Sequence, residues 1–249
     1  MAVYLATIAL EKNRWTTRQP SYAISDFLPR LRNDGFDGIE LWENHFLLAD
    51  AQEQRRLADS GIPLIFNTYT RFDEGLTPRL RAVADAICGL NAFAVKFNLE
   101  PSDTTVSSQL DTLCRFASLL PGGVRLLSEC HPGTLMERPD DAKAILDQLP
   151  SDRFGVFLHL APVKGDNARR FELYGDRIHH LHAHLLEPGT VHYLRLDSMP
   201  GVAQDYLRAL KSWGFTGTVS VEFTETLDTP EATYQNCVAD LHFIKEALA

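Results

Sequence analysis

Eight short apolar runs, separated by stretches of helical periodicity, constrain this chain more than any other feature of its sequence. The runs cover residues 3–8, 36–42, 62–67, 92–97, 124–129, 154–158, 178–182 and 218–223. Strands therefore begin at intervals of roughly 24 to 40 residues, the period of a βα unit. Between them the spacing predicts helices over 21–35, 47–60, 78–90, 106–120, 139–149, 169–174, 202–213 and 230–248. Ile24, Phe27, Leu28 and Leu31 share one face of the first of these, and Asn33-Asp34-Gly35 ends it. Pro139 opens another in the first-turn position that proline favours. Eight such units imply an α/β fold, a closed (β/α)8 barrel. No linker divides the chain, and barrels of about 250 residues are single domains, so residues 1–249 are expected to form one domain.

A parallel strand covered on both faces should be apolar throughout, and an ionisable group at its end is costly unless paired or bound. Four of the runs break this rule at their C-terminal ends, with Glu129, His159, His182 and Glu222. Because side chains alternate along a strand, Glu129 and His131 share a face, as do His180, His182 and His184, and Ser220 and Glu222. In a barrel of this kind the active site lies at that end of the strands. Taken singly, each residue has an ordinary explanation as a hydrogen-bonded core histidine or a loop-capping glutamate. Together, on strands five to eight, two carboxylates and two imidazoles suit one divalent ion of the manganese, zinc, cobalt or iron group. Such a set leaves positions open for neighbouring oxygens of a substrate.

The remaining polar residues divide by position. Lys96 ends the fourth run, where it either neutralises a substrate oxyanion or joins an interstrand ion pair. His131 suits an acid, a base or a substrate donor, against the plainer role of holding the turn before Pro132-Gly133. His184 is placed for substrate contact, whereas His180 and Glu40 are read as structural groups within the barrel. Asn67, Tyr69 and His45, read as exposed loop residues, carry little signal.

Charge and cysteine usage narrow the partners. A net charge of -9 disfavours nucleic acid, because affinity for phosphate backbones comes mainly from basic surface. Residues 3–8 read as a strand and not as a signal peptide, and no apolar run approaches the roughly 18 residues that span a bilayer. Cys88, Cys114, Cys130 and Cys237 form no Cys-x-x-Cys pair, which argues against a disulfide framework or a thiolate zinc site and fits a reducing cytoplasm. The expectation is a cytoplasmic protein without a nucleic-acid or membrane partner.

Four segments then carry a resemblance: Gly35-Phe36-Asp37-Gly38-Ile39-Glu40-Leu41-Trp42, Glu129-Cys130-His131, Ile178-His179-His180-Leu181-His182, and Gly217-Thr218-Val219-Ser220-Val221-Glu222. In order and spacing, over nearly the whole chain, they resemble the xylose isomerase-like TIM barrels. That family includes sugar-phosphate isomerases, ketose 3-epimerases, hydroxypyruvate isomerase, 3-dehydroshikimate dehydratase and endonuclease IV. Its metal is held by a strand-five Glu, a strand-six Asp, a strand-seven His and a strand-eight Glu, which the resemblance carries to Glu129, His182 and Glu222. The strand-six position departs: where the family has Asp followed three residues later by His, this chain has His159 and Pro162. The Lys and Asp that commonly follow the strand-seven His are His184 and Leu185, and the Arg of ketose 3-epimerases is replaced by Pro188. The trinuclear zinc cluster of endonuclease IV needs more ligands than are found here.

The resemblance implies a metal-dependent isomerase or epimerase of carbohydrate metabolism, moving a proton next to a carbonyl through a metal-stabilised enediolate. Glu129 and Glu222 would exchange the proton from opposite faces of a small polyhydroxylated substrate, with His131, His184 and Lys96 as substrate contacts. Family analogy adds a homodimer or homotetramer. Two alternatives stay open: a lyase of the 3-dehydroshikimate dehydratase kind, and a noncatalytic barrel serving as a partner subunit, which the exchange at His159 and Pro162 keeps in play.

Overall fold

The computed structural model describes residues 1–160 and 167–248. The strands, in chain order, are β1 (Val3–Ala6), β2 (Gly38–Trp42), β3 (Leu64–Asn67), β4 (Ala94–Phe97), β5 (Arg125–Glu129), β6 (Phe154–His159), β7 (Ile178–Ala183), β8 (Leu185–Leu186), β9 (Tyr193–Leu194) and β10 (Thr218–Val221). Eight of them close a parallel barrel in the order β1-β10-β7-β6-β5-β4-β3-β2, and β8 and β9 form a separate antiparallel ribbon beside its mouth. The helices are α1 (Leu28–Asp34), α2 (Glu43–Leu47), α3 (Ala51–Asp59), α4 (Pro78–Gly89), α5 (Val106–Ala117), α6 (Pro139–Leu146), α7 (Asn167–Tyr174), α8 (Pro200–Ser212) and α9 (Pro230–Leu248). The (β/α)8 barrel expected from the pattern is thus the fold. Among the described residues no helix is long and apolar enough to cross a membrane.

Alternation along each strand separates two cores. Ile39, Leu41, Phe66, Val95, Leu126, Val156, Leu158, Leu181 and Val219 pack outward in one large cluster with the helices. Inside the barrel, Ile65, Ala94, Leu127 and Phe157 form a small apolar plug of their own. One layer further toward the strand C-termini the same interior face carries Asn67, Lys96, Glu129, His159 and His182, all buried.

Strands β2 to β5 begin one or two residues later than their apolar runs, β1 and β10 stop two residues earlier, and two helices differ from expectation. The stretch 47–60 is not one helix: α2 ends at Leu47, and α3 begins after Asp50, whose carboxylate caps it by accepting from the backbone N–H groups of Gln52 and Glu53. The stretch 21–35 opens with a 3-10 turn at Ile24–Asp26 before α1, which stops at Gly35 because the chain there turns left-handed, φ 98°. At Gly38 a Cβ would come within 2.0 Å of the Tyr4 ring, so glycine lets β2 close on β1.

One irregularity determines what faces the site. Val156 pairs with Ile178, but the next pair is Phe157 with His180, a shift of one residue that leaves His179 out of register. The slip reverses the parity of β7: His180 and His182 come to the interior side of Phe157 and His159, and Leu181 goes outward to the helices.

Candidate active site

At the C-terminal mouth, Glu129, His131, His159, His184 and Glu222 line a cleft of about 730 Å³, closed at the rim by Trp15, Arg18, Tyr69, Tyr193 and Phe223. That volume is in the range of small-molecule sites. A second hollow, about 860 Å³, lies at the opposite end of the barrel among Phe93, Arg125, His179 and Trp213. It carries no comparable cluster of carboxylates and imidazoles.

The four residues expected to share a metal lie in contact one after another, although among the described residues no group of ligand atoms within 4.8 Å of one another holds all four. Glu40 with His180 and His182 makes a further such group. His159 Nε2 donates to Glu129 Oε1 at 2.8 Å, and its Nδ1 lies 3.6 Å from Glu222 Oε2. His182 Nδ1 lies 2.9 Å from Glu222 Oε1, and its Nε2 is 2.8 Å from Glu40 Oε2. Glu129, His159 and His182 offer ligand atoms all within 4.8 Å of one another, as do His159, His184 and Glu222. The family pattern's position at Pro162 falls outside the described residues.

The ring nitrogens test whether a cation fits. The Nδ1 atoms of His159 and His182 are both buried and make no hydrogen bond among the described residues, although both lie close to Glu222. With each Nε2 committed to a carboxylate, each Nδ1 would present a lone pair to another carboxylate, which is repulsive. A proton or a metal ion between them removes the repulsion, and two carboxylates with two imidazoles are a donor set such a metal accepts. Without a metal the proton takes the place: burial opposes charge on His182, but Glu222 and Glu40 outweigh it and push its pKa up to about 10. Burial likewise acts to raise the carboxylate pKa values, yet Lys96 and His159 hold Glu129 down to about 2, and His182 and His184 hold Glu222 well below the usual range. For His159, burial prevails over its carboxylate neighbours and lowers its pKa.

The other residues separate into two groups. Lys96, buried, ion-pairs with Glu129 Oε2 at 3.1 Å and reaches the Tyr69 hydroxyl at 3.5 Å, so the interstrand ion pair is present. His184 Nδ1 donates to Glu222 Oε2 at 3.0 Å, and its ring packs on Tyr193. His131 stands at the cleft wall with Nδ1 donating to the Pro132 carbonyl at 2.7 Å, which also holds the turn. Glu40 is wholly interior: it accepts from Asn67 at 2.8 Å, from His180 at 3.2 Å and from His182. The expectation of a structural Glu40 and His180 fits these contacts.

Three residues read as exposed loop positions need correction. Asn67 is the last residue of β3 and fully buried, because Glu40 supplies its partner across the barrel. His45 lies in α2, buried between Thr7 Oγ1 at 2.9 Å and Glu11 Oε1 at 2.8 Å. Tyr69 lines the cleft beside Lys96. Sequence reasoning also missed Trp15, Arg18 and Tyr193, which no periodicity marks because their backbones lie in loops or the short ribbon. It read Phe223 only as the end of the eighth apolar run, whereas the strand stops at Val221 and Phe223 lines the cleft.

No family model matches this sequence, and none of the curated proteins does. Among solved structures, the chain is similar to D-psicose 3-epimerase from Clostridium cellulolyticum H10, with TM-score 0.69 and 12% identity over 100% of this chain and 99% of that one. It is similar to a probable 3-DHS dehydratase from Bacillus anthracis, with TM-score 0.69 and 15% identity over 98% and 99%. A xylose isomerase-like TIM barrel protein from Mycobacterium smegmatis, solved in complex with magnesium, gives TM-score 0.58 and 17% identity over 91% and 89%. These likenesses, all under 25% identity, establish the (β/α)8 fold over nearly the full length of the chain.

Proposed function

We propose that this chain is a divalent-metal-dependent enzyme that moves a proton next to a carbonyl on a small carbohydrate-like substrate, isomerising or epimerising it. The observation that carries the reading is the pair of unsatisfied Nδ1 atoms, on His159 and His182, beside Glu222 at the floor of the cleft. Glu129, His159, His182 and Glu222 would hold the metal, with manganese, zinc, cobalt or iron suiting the mixed oxygen and nitrogen set. When bound, the ion supplies Lewis acidity to two adjacent substrate oxygens.

The chain's own residues supply the rest. Glu129 and Glu222 are both ionised at neutral pH, Glu129 held so by Lys96 and then His159, and Glu222 by His182 and His184. In this reading one removes the proton and the other returns it on the opposite face. Lys96 stays strongly protonated beside Glu129, since the nearby carboxylates outweigh its burial, and places a fixed positive charge where an oxyanion develops. His184 and His131 offer ring nitrogens to substrate hydroxyls from two walls. The rim aromatics exclude water from the proton in transit.

A lyase reading shares every step up to proton removal and then expels a hydroxyl; the likeness to a 3-DHS dehydratase supports keeping it. Residues 1–249 are taken as one catalytic domain, acting in the cytoplasm as a homodimer or homotetramer. Metal analysis of the purified protein, with an activity screen over ketoses, hydroxypyruvate and dehydroshikimate-like acids, tests the reading. Absence of bound metal and of any response to manganese, cobalt or zinc would favour a noncatalytic barrel. With a substrate in hand, Glu222→Gln is expected to abolish solvent-deuterium exchange at the substrate carbon, and retained exchange removes Glu222 from the proton-transfer role.

A further inference from the structure

Arg14 is a buried cation whose hydrogen bonding the fold leaves unfinished. It lies in the loop after β1 with 8% of its surface exposed, its guanidinium 4.7 Å from the centre of the Phe223 ring. A guanidinium has five N–H donors. Arg14 uses one, from Nη1 to the Glu11 carbonyl at 2.6 Å. Its Nε is buried without an acceptor, and among the described residues no carboxylate lies within ion-pairing distance.

Two other buried arginines show what completion looks like. Arg177 donates to the carbonyls of Phe154, Leu146 and Leu149, and Arg170 to the carbonyls of Met136 and Glu137 and to the Tyr174 hydroxyl. Arg177 has acceptors on all three of its guanidinium nitrogens and Arg170 on two, so neither leaves its charge as sparsely bonded as Arg14 does. Arg14 instead stands on the wall of a further cleft of about 780 Å³, with Trp15 and Tyr193, and those same two residues also line the cleft at the barrel mouth. Phe223, beneath the guanidinium, follows Glu222 directly. Glu225 lines the cleft too, without an ion pair to Arg14.

A desolvated guanidinium with a single acceptor is costly, and an oxyanion entering the cleft that Arg14 lines would relieve that cost through charge-assisted hydrogen bonds. We propose that Arg14 is an anion-recognition residue, and that the substrate carries a carboxylate or phosphate group beyond its reacting carbons. The substrate part of this inference rests on the proposed function; anion binding at Arg14 does not. The shared chemistry is a terminal oxyanion, which makes a neutral ketose the poorer substrate.

The test titrates three probes, D-glycerate, glycerol 3-phosphate and glycerol, into the 249-residue protein with and without manganese, followed by calorimetry and intrinsic tryptophan fluorescence. One or both anions should bind saturably and glycerol should not, with glycerate preference assigning a carboxylate and glycerol phosphate preference a phosphate ester. Arg14→Gln should weaken the anion by at least about tenfold, and Arg14→Lys, which keeps charge but loses the fork, by less. Circular dichroism verifies folding of both variants, and the Lys variant carries the test should the Gln variant not fold. Equal binding of glycerol, unchanged affinity in the variants, no saturable binding, or anion binding that follows the metal and ignores Arg14 would each overturn the proposal. Since the titration needs no turnover and is repeated without metal, failure of the metal reading leaves its outcome legible.

Discussion

Glu40 and Glu222 are both buried, both inside the barrel, and both beside the same imidazole: His182 Nε2 is hydrogen-bonded to Glu40 at 2.8 Å, and its Nδ1, which makes no hydrogen bond among the described residues, lies 2.9 Å from Glu222. They differ in what completes them. Glu40 is enclosed by Asn67, His180 and His182, each at hydrogen-bonding distance, and does not reach the cleft. Glu222 lines the cleft, and two of its imidazole neighbours present nitrogens that make no hydrogen bond. Burial and a depressed pKa therefore do not separate a structural carboxylate from a chemical one. Completed hydrogen bonding and access to a cleft do.

The comparison breaks most decisively through paired substitutions. Glu222→Gln should lower turnover by about 10²–10⁴-fold, the range for a lost general base, with little change in the urea midpoint. Glu40→Ala should do the reverse. Leaving His180, His182 and Asn67 facing an uncompensated void costs about 3–5 kcal/mol, read as a large fall in the midpoint, and any rate loss would follow from disordering His182. Equal stability losses in both variants would dissolve the distinction.

A third buried carboxylate sharpens it. Asp240 on α9 accepts from the Leu196 backbone N–H at 2.7 Å but has no imidazole beside it, and burial pushes its pKa up to about 6. The folded state thus holds a proton that the unfolded chain releases near pH 4. The associated stability is full below about pH 4 and lost as pH rises through about 6, a change on the order of 2–3 kcal/mol. Asp240→Asn should match the native protein at pH 4 and exceed it at pH 7; identical midpoints at both pH values would refute the assignment.

The smallest effect concerns the shared imidazole. Because the proton on His182 must leave before its Nδ1 can hold a metal, affinity for manganese or zinc should rise by about tenfold per pH unit between pH 6 and 9. Calorimetry in buffers of different ionisation enthalpy would count the released proton. A flat profile would mean that Glu222 and His182 do not share a cation site.

The sequence by itself determined the barrel and the rows from which the site is drawn. Eight apolar runs at βα spacing leave little else for a chain of this length, and an ionisable residue at a buried strand end is costly enough to mark Glu129, His159, His182 and Glu222. Alternation placed His180, His182 and His184 on one face, but which face was decided by the slip at His179, a register between strands that no single run encodes. The tertiary structure likewise decided that Asn67 and His45 are buried, since their partners Glu40 and Glu11 lie 27 and 34 residues away. It also brought Arg14, Trp15 and Tyr193 to the rim. Loops carry no period to read, so the residues that shape a cleft become visible only when the strands beneath them have closed.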